Sequence, residues 1–230
     1  MSERDITTPT APTAASAPVQ TIRLEERDSS THMEIERKWR APVMDLEAIR
    51  NLGVGVSCVA IEQHYVSLDH MNETEVRIRS KTPMPFKDAE ETKEKQTTIY
   101  TMTFKGKATR GGVCRVEEEW NITQAQFETM RALAIGRTIR KKRFKVPLLD
   151  LTHVAELDVF QEPAFMTNQS VVEVEFPSVE AADAFIAPSW FGVEVTRDKT
   201  MKNRAIAERA VRIHDCIIIR LLTSPLLNNS

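Results

Sequence analysis

Three charged residues near the start of the sequence are spaced so that a β-strand would place them on one face. In the stretch HMEIERKWR, residues 32–40, Glu34, Glu36 and Lys38 occupy every second position, and side chains two apart on a strand point the same way. Neighbouring carboxylates are ligands that Mg²⁺ or Mn²⁺ prefers, and lysine attracts phosphate oxygens. One stretch of this kind is weak support for a site, so the pattern matters only if it recurs.

The same alternation recurs in six further predicted strands. In EVRIRSK, for example, Arg77 and Arg79 share one face while Val76 and Ile78 share the other. The acidic members of these faces are Glu34, Glu36, Glu117, Glu119, Glu156, Asp158, Glu173 and Glu175. The basic members are Lys38, Arg77, Arg79, Lys105, Lys107, Arg115, Lys141 and Arg143, with Lys81 and Lys145 at the periphery. A single charged strand face usually lies in water, but these faces are almost wholly charged and their signs are sorted by strand.

The elements that must position these residues are strands, because the dominant hydrophobic period from residue 33 onward is two. Eight strands are predicted, at about 33–40, 60–68, 73–81, 97–106, 112–120, 138–146, 153–160 and 170–177. Helices are predicted after Pro42, after Thr123, where Gln126 completes a capping box, after Ser178, and from near Lys199 onward.

Eight strands can close into a barrel with no exposed edges, with helices covering the apolar outer faces. The charged faces would then line the lumen, where neighbouring charges interact by roughly 4 kcal/mol per pair at an effective dielectric near 20. Clustered like charges need compensation, which divalent cations give to carboxylates and phosphate gives to Arg and Lys. A lumen of this kind predicts a metal-bound polyphosphate as its ligand.

Composition limits the remaining possibilities. The net charge of −2 and the absence of a membrane-length apolar run argue against a nucleic-acid-coating or membrane-spanning protein. Three widely spaced cysteines and the lack of a signal peptide predict a cytoplasmic protein. We expect a disordered tail over 1–31, one domain over 32–220 with an exposed hairpin loop at 82–96, and a C-terminal tail over 221–230.

The ordered set of charged strands resembles the CYTH domain, or triphosphate tunnel metalloenzyme, family. The E-x-E-x-K motif stands at Glu34–Lys38, and EVRIR, TFKGK, RVEEE, RKKRF, AELDVF, VVEVEF and WFGVEVTRDKTMKNRAIA follow in order across residues 33–207. The first motif alone is weak, whereas the ordered set is specific. It is most similar to the bacterial inorganic triphosphatase branch.

The resemblance implies an α+β fold built on an eight-stranded antiparallel tunnel that hydrolyses a triphosphate chain, most simply tripolyphosphate, with Mg²⁺ or Mn²⁺. It implies a main metal set of Glu34, Glu36, Glu173 and Glu175. It implies a second acidic set, for another metal or for orienting water and the basic residues, of Glu117, Glu119, Glu156 and Asp158. It implies a phosphate-binding set of Lys38, Arg77, Arg79, Lys105, Lys107, Arg115, Lys141 and Arg143. Within these sets, Lys38, Glu36 and Arg79 are the expected catalytic residues.

Some features leave alternatives open. Thr200 and Met201 stand where the family commonly has Arg-Tyr, which removes one phosphate contact that Lys199 or Lys202 would have to replace. An adenylate cyclase of the class IV type, a thiamine triphosphatase, and a binding module without catalysis use the same scaffold. The first two need a platform for an organic group, for which Trp39 and Trp190 are the candidates. The sequence leaves open whether the protein is a monomer or a homodimer.

Overall fold

The computed structural model of the protein describes residues 33–69, 74–86, 97–150 and 152–211. The predicted tails over 1–31 and 221–230, and most of the predicted loop over 82–96, lie outside the described residues. The domain boundaries therefore stay predictions.

Eight antiparallel strands form a closed barrel, as predicted. They are β1 (Met33–Ala41), β2 (Ser57–Asp69), β3 (Thr74–Met84), β4 (Ile99–Lys105), β5 (Cys114–Ile122), β6 (Ile135–Pro147), β7 (Val154–Glu162) and β8 (Ser170–Glu175). They follow the order β5-β4-β3-β2-β6-β7-β8-β1, and β1 pairs back onto β5 to close the cylinder. A two-residue strand, β9 (Val193–Glu194), adds to β1 from outside the ring. Closure removes the free edges that an open sheet would expose.

Four short helices accompany the barrel in the described part of the chain. They are α1 (Leu46–Arg50), α2 (Gln124–Ala132), α3 (Val179–Ala184) and a fourth, α4, over 203–211. The predicted caps are confirmed: Thr123 and Gln126 form a capping box on α2, and Ser178 caps α3. The helix predicted from Lys199 instead begins with a 3₁₀ turn (Lys199–Met201). No helix in the described ranges is long and apolar enough to cross a membrane.

The main hydrophobic core lies outside the barrel wall rather than in its middle. Trp39, Phe144 and Leu157 point outward and are almost fully buried, and Phe191 covers them from the chain that follows α3. The rings of Trp39 and Phe191 have centroids 4.9 Å apart. Because the apolar faces are buried on this outer side, the alternate positions of the same strands must face the lumen.

One end of the lumen is closed by apolar side chains. At this end, the inward-facing positions are occupied by Tyr65, Ile139, Phe160 and Val171, all buried. Ile206 of α4 packs into the same cluster. The C-terminal helix therefore caps this end of the barrel with hydrophobic contacts, while the charged positions occupy the rest of the lumen.

The attachment of β9 to β1 depends on Gly192. Its φ is +78°, and a Cβ atom there would lie 2.4 Å from the backbone oxygen of Arg40. We expect Gly192→Ala to lower the free energy of unfolding by about 2 kcal/mol or more, because a strained φ and a backbone clash add together. Chemical denaturation measures this. Gly106→Ala is the control, since its nearest neighbour would be 3.4 Å away and its φ is unstrained; equal losses in both variants would contradict the explanation.

Candidate active site

The strand register brings most of the predicted charged residues together in one central cavity. The predicted residues that line this central cavity are Glu34, Glu36, Lys38, Arg77, Arg79, Lys105, Arg115, Glu117, Arg143, Glu173 and Glu175. The charged faces thus converge inside the closed barrel, which is the main structural expectation from the sequence.

The remaining predicted residues lie elsewhere. Glu119 and Glu156 line an open cavity next to the central one, together with Lys81; we call this cavity the mouth. Lys141 and Asp158 are fully buried in the wall and contact each other. Lys107 departs from the prediction: β4 ends at Lys105, so the alternation no longer applies two residues later, and the Lys107 side chain is exposed.

Two carboxylates face each other without enough positive charge nearby to neutralise both of them. Glu36 of β1 is the direct cross-strand partner of Glu175 of β8. Burial, followed by repulsion from Glu156, Glu34 and Glu36, raises the pKa of Glu175 to about 7. Burial is also the main cause of the raised pKa of Glu36. Glu175 has no ion-pair partner among the described residues, so this pair of carboxylates calls for a cation.

The donor chemistry at this pair suits a hard divalent cation, since it consists of carboxylate oxygens only. Within the described ranges, no three Asp, Glu, His or Cys side chains are already gathered as a metal site. The reason lies in the neighbouring ion pairs: Glu34 lies 2.6 Å from the Nζ of Lys105, and Glu173 lies 2.6 Å from the Nζ of Lys38. The residues fit a metal, which would have to compete with these lysines for two of the oxygen donors.

Near this pair of carboxylates, two basic side chains are held in place by other carboxylates. The Nη2 of Arg143 lies 2.7 Å from both Asp158 and Glu173, and its Nη1 contacts Glu156. Burial alone would lower the pKa of Arg143, but these carboxylates outweigh it and keep the pKa well above its usual value. Lys141 also binds Asp158. Asp158 therefore fixes the orientation of two cations.

Arg79 differs from the other buried cations because no carboxylate neutralises it. Its side chain is 6% exposed, and its Nε and Nη2 donate to Gln63 Oε1 at 3.3 and 3.1 Å. No ion-pair partner lies within reach among the described residues. Burial, together with the nearby charges of Arg77 and Arg143, lowers the pKa of Arg79 to about 10. A buried, unneutralised guanidinium is a ready-made position for an anion.

Arg77 adds a second donor that lacks a partner. Its Nη2 lies 3.1 Å from Glu117 Oε1, yet its buried Nε has no hydrogen-bond partner. Buried polar groups are nearly always hydrogen-bonded, so this Nε beside Arg79 is a donor available to an oxygen acceptor from a water or a ligand.

Sequence reasoning missed several residues of the cavity. Glu75 precedes Arg77 by two positions, so the same period-two rule could have found it. Tyr65 lines the cavity from β2, and Gln63 on the same strand contacts Arg79. The inner face of β2 carries no charge, so the charge pattern gave no signal there. Arg204 comes from α4, which no strand pattern could place.

A closed eight-stranded antiparallel barrel, with carboxylates and cations sorted along its lumen, defines a tunnel-type protein of the CYTH class. No protein-family model matches the chain. The inorganic triphosphatase of Nitrosomonas europaea is 45% identical to it over 112 residues, which are 49% of this chain and 70% of that protein. The chain belongs to the inorganic triphosphatase family.

Solved structures of similar proteins include two that align over most of their own length. The crystal structure of the inorganic triphosphatase NE1496 is 33% identical, with a TM-score of 0.48, and covers 76% of this chain and 93% of its own. A protein from Pyrococcus horikoshii, PH1819, is 17% identical with a TM-score of 0.45, over 83% of this chain and 90% of its own.

Proposed function

We propose that the protein is a metal-dependent triphosphatase that hydrolyses inorganic tripolyphosphate to diphosphate and phosphate. The observation that carries the proposal is Arg79, a buried cation bound only to a neutral amide and set beside the orphaned Nε of Arg77. The membership of the chain in the inorganic triphosphatase family also supports an inorganic triphosphate as the substrate.

The crowded carboxylates support a divalent metal, Mg²⁺ or Mn²⁺, held by Glu36 and Glu175 with Glu34 and Glu173 as further donors. When bound, the metal neutralises phosphate charge and lowers the pKa of a coordinated water. The second acidic set does not bind a metal in this proposal. It orients the basic residues, and its members are Glu117, Glu119, Glu156 and Asp158.

The cations of the chain bind and orient the substrate. These side chains donate hydrogen bonds to phosphate oxygens and stabilise the charge that develops as the bond to the leaving diphosphate breaks. They are Arg77, Arg79, Lys105, Arg115 and Arg143. Water supplies the oxygen of the new P–O bond, and the oxygen of the leaving diphosphate takes the electron pair of the bond that is cleaved. The two protons of this water end on the phosphate and diphosphate products or in solvent.

Lys38 acts as a positioning cation rather than as a base. Burial alone would lower its pKa, but Glu173 and Glu36 outweigh burial and hold the pKa well above its usual value. A lysine that stays protonated cannot take a proton from water. It can donate hydrogen bonds to the phosphoryl group, which fits its place beside the proposed metal ligands.

The mouth favours an inorganic substrate over one with an organic group. Its lining is charged and contains no aromatic ring among the described residues. Trp39 and Trp190, the candidate stacking residues, instead pack around Phe191 on the outside of the barrel. The test is phosphate release from tripolyphosphate, ATP and thiamine triphosphate, each with Mg²⁺, with Mn²⁺ and with EDTA. Metal-dependent release mainly from tripolyphosphate is expected; its absence would reject the proposal.

Gln63 offers a test of the Arg79 argument. Gln63→Glu would place a carboxylate against the guanidinium that now binds a neutral amide, which should neutralise it internally. We expect KM for tripolyphosphate to rise at least about tenfold, the effect of losing one charged interaction. Steady-state kinetics measures this, with Gln161→Glu at an exposed position of β7 as the matched control. A Gln63→Glu enzyme with the KM of the control would show that Arg79 does not bind substrate.

A further inference from the structure

Two neighbouring strands of the barrel wall carry hydrogen-bond donors that nothing in the described residues uses. Arg77 and Arg79 belong to β3, and Arg79 is directly paired with Thr101 of β4. The Nε of Arg77 and the Oγ1 of Thr101 are both buried, and neither has a hydrogen-bond partner among the described residues. Arg77 belongs to the proposed phosphate-binding set, whereas Thr101 lies outside every set that the charge pattern identifies.

The side chain of Thr101 faces the lumen. Two residues further along β4, the hydroxyl of Thr103 donates to Glu119 Oε2 at 2.9 Å, and two residues beyond that Lys105 lies 2.6 Å from Glu34. Because alternate side chains of a strand share a face, Thr101 points to the same side as these two. It is 3% exposed, so its hydroxyl is removed from bulk solvent.

An unpartnered hydroxyl at a buried position costs stability. Thr103, on the same face of the same strand, has a carboxylate as its acceptor, whereas Thr101 has none among the described residues. Valine has nearly the same shape and would avoid the cost of burying a polar group without a partner. The Thr101 hydroxyl is therefore a donor available to an acceptor from a water or a ligand, and its surroundings indicate which of these it suits.

The surroundings of Thr101 favour an anion. Directly paired residues have Cβ atoms about 4.5–5.5 Å apart, so Thr101 is an immediate neighbour of Arg79 on the barrel wall. Arg79 donates through Nε and Nη2 to Gln63 of β2, the strand on the other side of β3, and its Nη1 makes no hydrogen bond to the described residues. An acceptor that approaches Arg79 from the side of β4 would meet donors from both strands.

We propose that Thr101 is a substrate-binding residue, whose hydroxyl donates a hydrogen bond to the phosphate oxygen that Arg79 neutralises. This rests on the proposed triphosphatase function. Burial and the charges of Arg77 and Arg143 already lower the pKa of Arg79, so a further cation at position 101 would be unfavourable. A hydroxyl adds a hydrogen bond to the substrate without adding charge.

Two substitutions at this position should have opposite effects on stability and on binding. Thr101→Val removes the unpartnered hydroxyl, so we expect tripolyphosphate binding to weaken about tenfold while the melting temperature of the free protein stays equal or rises. Thr101→Ser keeps the hydroxyl and loses a buried methyl group, so the melting temperature should fall by about 2–4 °C. Its binding should stay within about threefold of the wild type. Binding is measured calorimetrically in EDTA, where metal-dependent hydrolysis does not interfere.

Steady-state kinetics with Mg²⁺ gives a second measure. Thr101→Val should raise KM for tripolyphosphate about tenfold and change kcat less than about threefold, because the hydrogen bond already forms when the substrate binds. Thr129→Val is the matched control. Its hydroxyl is exposed on α2 and donates to the backbone oxygen of Ala125, so binding and KM should equal those of the wild type.

The outcomes separate this proposal from the one on which it rests. Unchanged binding and KM in Thr101→Val, or equal weakening in Thr101→Val and Thr101→Ser, overturns the role of Thr101. If the wild type binds tripolyphosphate in EDTA but releases no phosphate with Mg²⁺, the triphosphatase proposal fails and the binding comparison still decides the role of Thr101. If the wild type binds only with metal, the KM comparison decides it. A wild type that neither binds nor hydrolyses tripolyphosphate overturns both.

Discussion

Replacing Arg79 with methionine is expected to reduce phosphate release from tripolyphosphate about 10³-fold without lowering the melting temperature. Among the described residues, the guanidinium has only Gln63 as a partner, and its burial, followed by the nearby charges of Arg77 and Arg143, lowers its pKa to about 10. A buried guanidinium without a counter-ion destabilises the folded protein, and a bound anion would offset this cost. Methionine removes the repulsion while filling similar volume, so stability should stay equal or rise.

Arg143→Met is the matched comparison within the same cavity. This arginine neutralises Asp158, Glu156 and Glu173, and its removal leaves buried carboxylates without their main cation. We expect a similar loss of activity but also a loss of about 3–5 kcal/mol in the free energy of unfolding. Activity assays and thermal denaturation of both variants are sufficient. A large destabilisation in Arg79→Met, or none in Arg143→Met, would contradict this division of roles.

Replacing Glu36 with glutamine should reduce the metal-dependent activity at least about 10²-fold. Glu36 lies opposite Glu175, and both carboxylates have raised pKa values because they are buried close to other acids. The neutral amide is a poorer ligand for Mg²⁺ or Mn²⁺, so the metal concentration for half-maximal activity should rise as well. In EDTA the variant should be at least as stable as the wild type, because one repulsive carboxylate is gone.

The control for this experiment is Glu128→Gln on the exposed surface of α2, which should change neither activity nor metal dependence. Two results would contradict the assignment of Glu36. One is unchanged activity at every metal concentration, and the other is a melting temperature in EDTA below that of the wild type.

The fold and much of the cavity could be predicted because one physical rule connects them. Side chains two apart on a strand share a face, so the charged positions of the seven strands β1 and β3 to β8 had to converge once the barrel closed. The capping residue Thr123 gave the start of α2 from local chemistry alone. The rule also contained Glu75, which shares its face with Arg77.

Other features could not be predicted because they depend on where strands end and on distant parts of the chain. Lys107 continues the pattern of Lys105, but the chain leaves the sheet between them. Gln63 has no charge and gains its role only from the neighbouring Arg79. Arg204 reaches the cavity from the segment that caps the end of the barrel, which no strand periodicity describes. Lys202 of the same segment was named only because of the family resemblance.

The measurement that tests the central claim most directly is a crystal structure with Mn²⁺ and a non-hydrolysable imido analogue of tripolyphosphate. Anomalous scattering from Mn²⁺ should lie within the barrel at the carboxylates of Glu36 and Glu175, and phosphate oxygens should contact Arg79 and the Nε of Arg77. Manganese and analogue bound on the outer surface, with the lumen side chains still paired only to one another, would contradict the claim that these charges form the active site.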